Sequence, residues 1–207
     1  MKQVKCSKSL GVLIDETLSW SNHVDNTCKK ISKAIFGLKL ARPFVPHHLL
    51  LQLYNSLVLP LFDYCDVVWG NINKGLVDRL QKLHNRAARI ITRSDYSIRS
   101  SEVLRRLQWD NLEVRRTKHM ATLMYKIFNG KAPKYLNNFL RLCDVTHHNL
   151  RGHELNIILP KARTDYKRNS FAFKGIKIWN SLPLELRKSN STKEFRRRLD
   201  SYFSAVP

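Results

Sequence analysis

Leu76, Leu80, Leu83, Ala87 and Ile90 recur at steps of four, three, four and three residues. That spacing sets side chains on one face of an α-helix and cannot keep them on one face of a strand. It predicts a helix over 73–92, and the same segment carries a second pattern. Arg79, Lys82, Arg86, Arg89 and Arg93 keep helical spacing too, lying about 100° around the helix from the apolar line. One side of this helix must be buried, while a flank next to it presents a ridge of like charge.

The rest of the chain reads in the same helical register. Val24, Cys28, Ile31, Ile35 and Leu38 again step by four and three, predicting a helix over 20–40 that ends at Ala41-Arg42-Pro43. A second helix is expected from Pro46, burying Leu50, Leu53, Tyr54 and Leu57, with Pro60 breaking it. A short helix is expected over 102–107, then a longer one over 111–129. The longer one has Asp110 as N-cap, Glu113 at capping-box spacing and Gly130 at its end. Val4 to Ile14 suits a strand or hairpin around Gly11. Near the C-terminus, Trp179 is large enough to anchor the tail on a core and Pro183 stops its helix. A last helix is capped by Ser191 with Glu194 and buries Phe195, Leu199 and Tyr202. The expected fold class is mainly α, a helical bundle with a short N-terminal strand or hairpin and a C-terminal helical tail.

Charge narrows the partner. Lys and Arg number 37 against 16 Asp and Glu, a net charge of +21, and the sequence pI is near 10.2. Apolar residues make up 43%, enough for a core, so a wholly disordered basic tail is excluded. Because the cations recur along the whole chain, a polyphosphate is the expected partner rather than a membrane surface. Only Asp78 lies among the cations of the 73–92 ridge, so pairing within the helix does not account for it. With Lys29, Lys30 and Lys33 on the first helix and Arg115, Arg116 and Lys118 on the later one, the ridge is expected to contact a nucleic-acid backbone. Lys161, Arg163, Lys167 and Arg168 form a second basic group, either an unstructured loop or one that orders on an anionic partner.

Enzyme signatures are missing. The sequence contains no Gly-rich phosphate loop, no G-x-S-x-G, no H-E-x-x-H and no Asp-Asp pair. Cys143, His147, His148 and His153 are residue types that bind zinc. They lack the two tightly spaced ligand pairs of a structural site, so a solvated basic loop is expected, with a small zinc protein as the alternative. Cys6, Cys28, Cys65 and Cys143 are widely spaced and read as free thiols of an intracellular protein, nuclear or cytoplasmic alike. No transmembrane run or secretory signal is found.

Four blocks, in order, resemble a known family. Leu10-Gly11-Val12-Leu13-Ile14-Asp15 with Leu18-Ser19-Trp20 and His23 is similar to the segment that follows the palm of non-LTR retrotransposon reverse transcriptases, especially the jockey-like group. Leu53-Tyr54, Pro60, Tyr64 and Trp69 resemble the next block, and Leu80-Gln81 through Ile90-Ile91 the helix after it. Arg151, Pro160, Arg163-Thr164, Ser170-Phe171, Trp179-Asn180-Ser181-Leu182-Pro183 and Phe195 resemble the family's C-terminal tail. Ser9 stands where the family usually has an aromatic.

The resemblance implies a division into a remnant of the last palm hairpin (1–19), a helical thumb-like domain (20–140), a basic loop or linker (141–168) and a Trp-anchored tail (169–207). It also implies that the palm carboxylates lie upstream, so that this chain is a catalytically incomplete fragment. The complete enzyme would use Mg, while this chain is expected to hold no cofactor, since two-metal phosphoryl transfer needs carboxylates to hold the ions. A thumb packs beside the template–primer hybrid and holds its backbone without reading sequence, and a continuous Arg/Lys ridge suits that role. Expected partners are RNA, DNA or an RNA–DNA hybrid, together with the missing palm and fingers of the parent enzyme, and no membrane. The alternative function is a helical protein-interaction module recruited by a host.

Overall fold

The computed structural model describes residues 4–141 and 155–205. It is mostly α-helical and divides into two compact units, Met1–Arg115 and Arg116–Pro207.

The first unit opens with an antiparallel hairpin of β1 (Cys6–Ser9) and β2 (Val12–Asp15), in register Ser9 opposite Val12 and Cys6 opposite Asp15. Leu10 and Gly11 both adopt positive φ, 45° and 84°, as the twist of a two-residue hairpin loop demands. The Tyr64 hydroxyl donates to the Leu10 carbonyl. A Cβ at Gly11 would lie 3.3 Å from that Tyr64 ring, so this glycine is needed for both its φ and its close approach. After β2 the chain turns through Leu18 and Trp20, both left-handed. The Asp15 carboxylate organises this turn, accepting from the backbone N–H groups of Thr17, Ser19 and Trp20 at 3.1, 2.9 and 2.9 Å.

Helix α1 (Ser21–Ala41) follows with Val24, Cys28, Ile31, Ile35 and Leu38 buried, the seam that the spacing predicts. His23, also buried, accepts from the Leu13 N–H at its Nδ1 and thereby ties β2 to α1. Beyond α2 (His47–Leu53), Pro60 does not break the helix as expected. The chain widens into a π turn over Tyr54–Val58 and resumes as α3 (Leu59–Asp63), with Pro60 in its first turn. A π turn shifts the hydrogen-bond register by one residue, which accommodates the proline ring and its missing N–H. Helix α4 (Asp66–Trp69) then buries Trp69, whose indole N–H donates to the Tyr64 carbonyl at 2.7 Å.

Helix α5 (Lys74–Thr92) starts where expected, its Leu76 N–H donating to the Asn73 side chain at 3.0 Å. Its seam departs from expectation at one place: His84 is buried and Leu83 only partly so. Helix α6 (Ser100–Arg106) packs Val103 and Leu104 against Ala88. In helix α7 (Leu112–Phe128) the cap is Asn111 rather than Asp110, since the Val114 N–H donates to the Asn111 side chain at 2.8 Å. Asp110 offers its carbonyl to His84 instead.

The second unit has a core of Ala121, Met124, Tyr125 and Ile127 from α7 with Ile157, Ile176, Trp179, Leu186, Phe195 and Leu199. Beyond the 3₁₀ turn Lys134–Phe139 and the short α8 (Asp165–Arg168), helix α9 (Phe171–Ser181) presents Trp179, which is fully buried and stacks on Phe128 at 5.0 Å. Gly175 lets α9 approach α7, because a Cβ there would sit 3.0 Å from the Met124 sulfur. The segment expected to be a loop is partly anchored. Ile157 is buried and exchanges two hydrogen bonds with the Asn180 side chain, at 3.0 and 2.8 Å, and the Trp179 indole donates to the Leu155 carbonyl. After α10 (Leu184–Arg187), helix α11 (Thr192–Ala205) carries the expected capping box: Glu194 N–H to Ser191 Oγ at 3.1 Å and Asn190 N–H to Glu194 Oε2 at 3.0 Å.

Candidate nucleic-acid interface

The expected cationic ridge depends on how α5 lies against α1. Two contacts fix it. Arg79 pairs with Asp25 at 2.7 Å near the start of both helices, and Arg93 donates to the Arg42 carbonyl at 3.1 Å near their ends. The helices therefore run in the same direction, since from Asp25 to Arg42 the chain rises about 25 Å and from Arg79 to Arg93 about 21 Å. Cationic side chains of both line one groove. Its volume is about 870 Å³, and Lys29, Lys30, Lys33 and Arg79 stand along it. The Cys28 thiol at its floor is pushed up by burial, which leaves it a poor nucleophile.

The ridge of α5 is not uniform. Lys82 and Arg86 are exposed, and no hydrogen bond or ion pair engages them among the described residues. Arg79 shares its charge with Asp25, both side chains about half-exposed. Arg89 turns toward α6, donating to the Asp95 carbonyl at 2.8 Å and to Ser100 Oγ at 3.1 Å, with its guanidinium 5.5 Å from the Tyr96 ring centre. Arg93 is held by the Arg42 carbonyl at the helix end. Of the predicted cations in this unit, Lys29, Lys30, Lys33, Lys82 and Arg86 are thus left open to an anionic ligand.

The cations expected on helix α7 are engaged within the protein. Arg115 grips Asp63 with two parallel hydrogen bonds of 2.7 and 2.6 Å. Arg116 is buried at 5% exposure, and Lys118 is mostly covered, its Nζ 2.9 Å from Asp200. Asp63 and Asp200 lie far from these cations in sequence, so no local spacing announces the pairs. In the second unit Lys161, Arg163 and Lys167 are exposed, while Arg168 pairs with Asp165 on the same short helix at 3.0 Å. Cys143, His147, His148 and His153 lie outside the described residues.

Behind the α1–α5 surface sits a polar group that the sequence reading did not single out. The His84 Nε2 meets the Asp110 carbonyl at 3.2 Å and its Nδ1 meets the Tyr54 hydroxyl at 2.9 Å. A carbonyl only accepts, so Nε2 carries the proton and Nδ1 accepts from Tyr54. The Trp109 ring stacks on Tyr54 at 4.2 Å and on His84 at 5.2 Å, closing the site from water. Burial holds the imidazole down to about 4, against the Asp110 carbonyl, with the Arg115 charge adding to the depression. The group is a neutral buckle between the π turn, α5 and the start of α7 rather than a proton-transfer site.

Comparison with known proteins places these features in context. The chain is 27% identical over 109 residues, 51% of its length, to the "Probable RNA-directed DNA polymerase from transposon X-element" of Drosophila melanogaster. It is 25% identical over 122 residues, 58% of its length, to the "Probable RNA-directed DNA polymerase from transposon BS" of the same organism. Those matches take in only 12% and 14% of the two relatives. They support a relationship to reverse transcriptases over about half of the chain. No family profile and no solved structure matches the chain. Among the described residues no helix is long and apolar enough to cross a membrane.

Proposed function

We propose that this chain is the thumb and C-terminal part of a jockey-like non-LTR retrotransposon reverse transcriptase, and that it holds the backbone of template–primer nucleic acid without reading its sequence. The observation that carries this reading is the exposed cationic surface of α1 and α5. Lys29, Lys30 and Lys33 stand along the groove beside Arg79, while Lys82 and Arg86 are exposed further along α5, and, Arg79 apart, none is held by an acid among the described residues. Such a surface neutralises phosphates by position and charge alone.

Polymerisation belongs, in this reading, to palm and fingers outside this segment. Two carboxylates near the resembling motifs are engaged by other groups of the chain. Asp15 is taken up by the Thr17, Ser19 and Trp20 N–H groups, and Asp63 by the Arg115 guanidinium.

The test is fluorescence anisotropy of a labelled RNA–DNA hybrid with the whole chain and with the double substitution Lys82→Gln, Arg86→Gln. The expected result is binding that weakens about tenfold or more in the double variant, with equal loss for hybrids of unrelated sequence. Undiminished affinity of the variant would remove the α5 cations from the account. A partner bound as tightly at high salt as at low would favour the protein-interaction module instead.

A further inference from the structure

The cationic wall of α1 changes character part-way along. Lys29, Lys33, Phe36 and Leu40 follow one another at steps of four, three and four, so they form a single stripe on one face of the helix. All four are exposed, Phe36 at 56% and Leu40 at 57%. Phe36 is not part of the buried seam, since it falls one residue beyond Ile35 and about 100° around the helix from it. Because α1 and α5 run in the same direction from the Asp25–Arg79 pair, Phe36 stands about 16 Å along α1, between the levels of Arg86 and Arg93 on α5.

An isolated exposed aromatic calls for no explanation. One in line with two unpaired lysines, on a helix packed against another that carries an exposed, unpaired arginine, has the composition of a single-strand site. There, cations track the phosphates and an aromatic ring takes the flat face of a base. A blunt duplex keeps its base faces stacked and offers none to Phe36. We propose that the exposed stripe of α1, in addition to holding a duplex backbone, receives an unpaired stretch of RNA or DNA, with phosphates along Lys29 and Lys33 and one base stacked on Phe36. This rests on the nucleic-acid reading above and adds to it the kind of strand that is bound.

The experiment measures anisotropy of the full chain with two probes at one salt concentration: a blunt RNA–DNA hybrid, and the same hybrid extended by an unpaired tail of about eight nucleotides, within the single-strand site sizes such grooves take. The unaltered chain is expected to bind the tailed probe more tightly. Phe36→Ala should weaken the tailed probe by about fivefold to a hundredfold, the fold-change that corresponds to losing one stacked base. It should leave the blunt probe unchanged. Phe36→Trp should restore the preference, and the thermal midpoint should not move, since the ring is more than half exposed. Blunt binding with no preference for the tail, or a preference that survives Phe36→Ala, overturns this proposal alone. Failure of the unaltered chain to bind either probe overturns the nucleic-acid reading with it.

Discussion

Arg79 on α5 donates to Asp25 on α1 across 2.7 Å, joining residues 54 positions apart at the head of two helices that run the same way. The pair does two things at once. It sets the level of α5 against α1, and it withdraws one guanidinium from the ridge that helical spacing assigns to α5.

Replacing Asp25 by Asn should therefore raise affinity for nucleic acid. It removes a carboxylate from the groove and frees Arg79, so the plot of log affinity against log salt should steepen by about 1. The pair is exposed, and its loss should cost at most about 1 kcal/mol of stability. A binding titration and a urea melt of the variant check both parts, and a fall in affinity would show that Arg79 already serves the ligand while paired.

Leu80 and Arg86 lie on one helix and should separate folding from binding. Leu80 is fully buried, so Leu80→Ala should cost about 2–5 kcal/mol. Arg86→Gln should stay within about 0.5 kcal/mol of the unaltered chain, as surface substitutions do. Chemical denaturation of the two variants side by side provides the measurement.

The sequence shows α5 plainly because its seam and its ridge keep one period for about four turns, and the seam of α1 does the same. It does not show His84 in the core. A histidine is buried only with its nitrogens satisfied, and its partners, Tyr54 and the Asp110 carbonyl, lie 30 and 26 residues away. Distance in sequence also hides which cations are free. Arg115, Lys118 and Arg79 look alike as residue types, and only the folded chain brings Asp63, Asp200 and Asp25 to them. The Pro60 expectation failed for a local reason, since a proline rule written for the α register does not foresee a π turn that absorbs the ring. The hairpin and the Ser191–Glu194 cap were legible because their signals are short-range.

His84 gives the fold a pH dependence of definite sign. Its folded value of about 4 lies below the ordinary 6.5, so the unfolded chain takes up the proton first. The stabilisation is complete above pH 6.5 and is lost as pH falls toward 4, amounting to about 3 kcal/mol over that window. Denaturation midpoints measured between pH 7 and pH 4 should fall, and His84→Gln should flatten that part of the profile while lowering stability at pH 7.

Asp15 carries a structural load that its place beside the resembling motif obscures. Burial pushes its carboxyl up, but hydrogen bonds from Thr17, Ser19 and Trp20 outweigh this and hold it at about 2. Asp15→Ala strands those N–H groups in a turn with two left-handed residues and should cost about 2–3 kcal/mol. Unfolding of the variant in urea, monitored by the signal of the neighbouring Trp20, reads this directly.

The central claim, that the open cations of α1 and α5 hold a nucleic-acid backbone, is tested most directly by the salt dependence of hybrid binding between about 50 and 200 mM salt. The account predicts a straight line of log affinity against log salt whose slope shrinks by about 2 when Lys82 and Arg86 become Gln. A slope near zero, or one that the double substitution leaves unchanged, contradicts it.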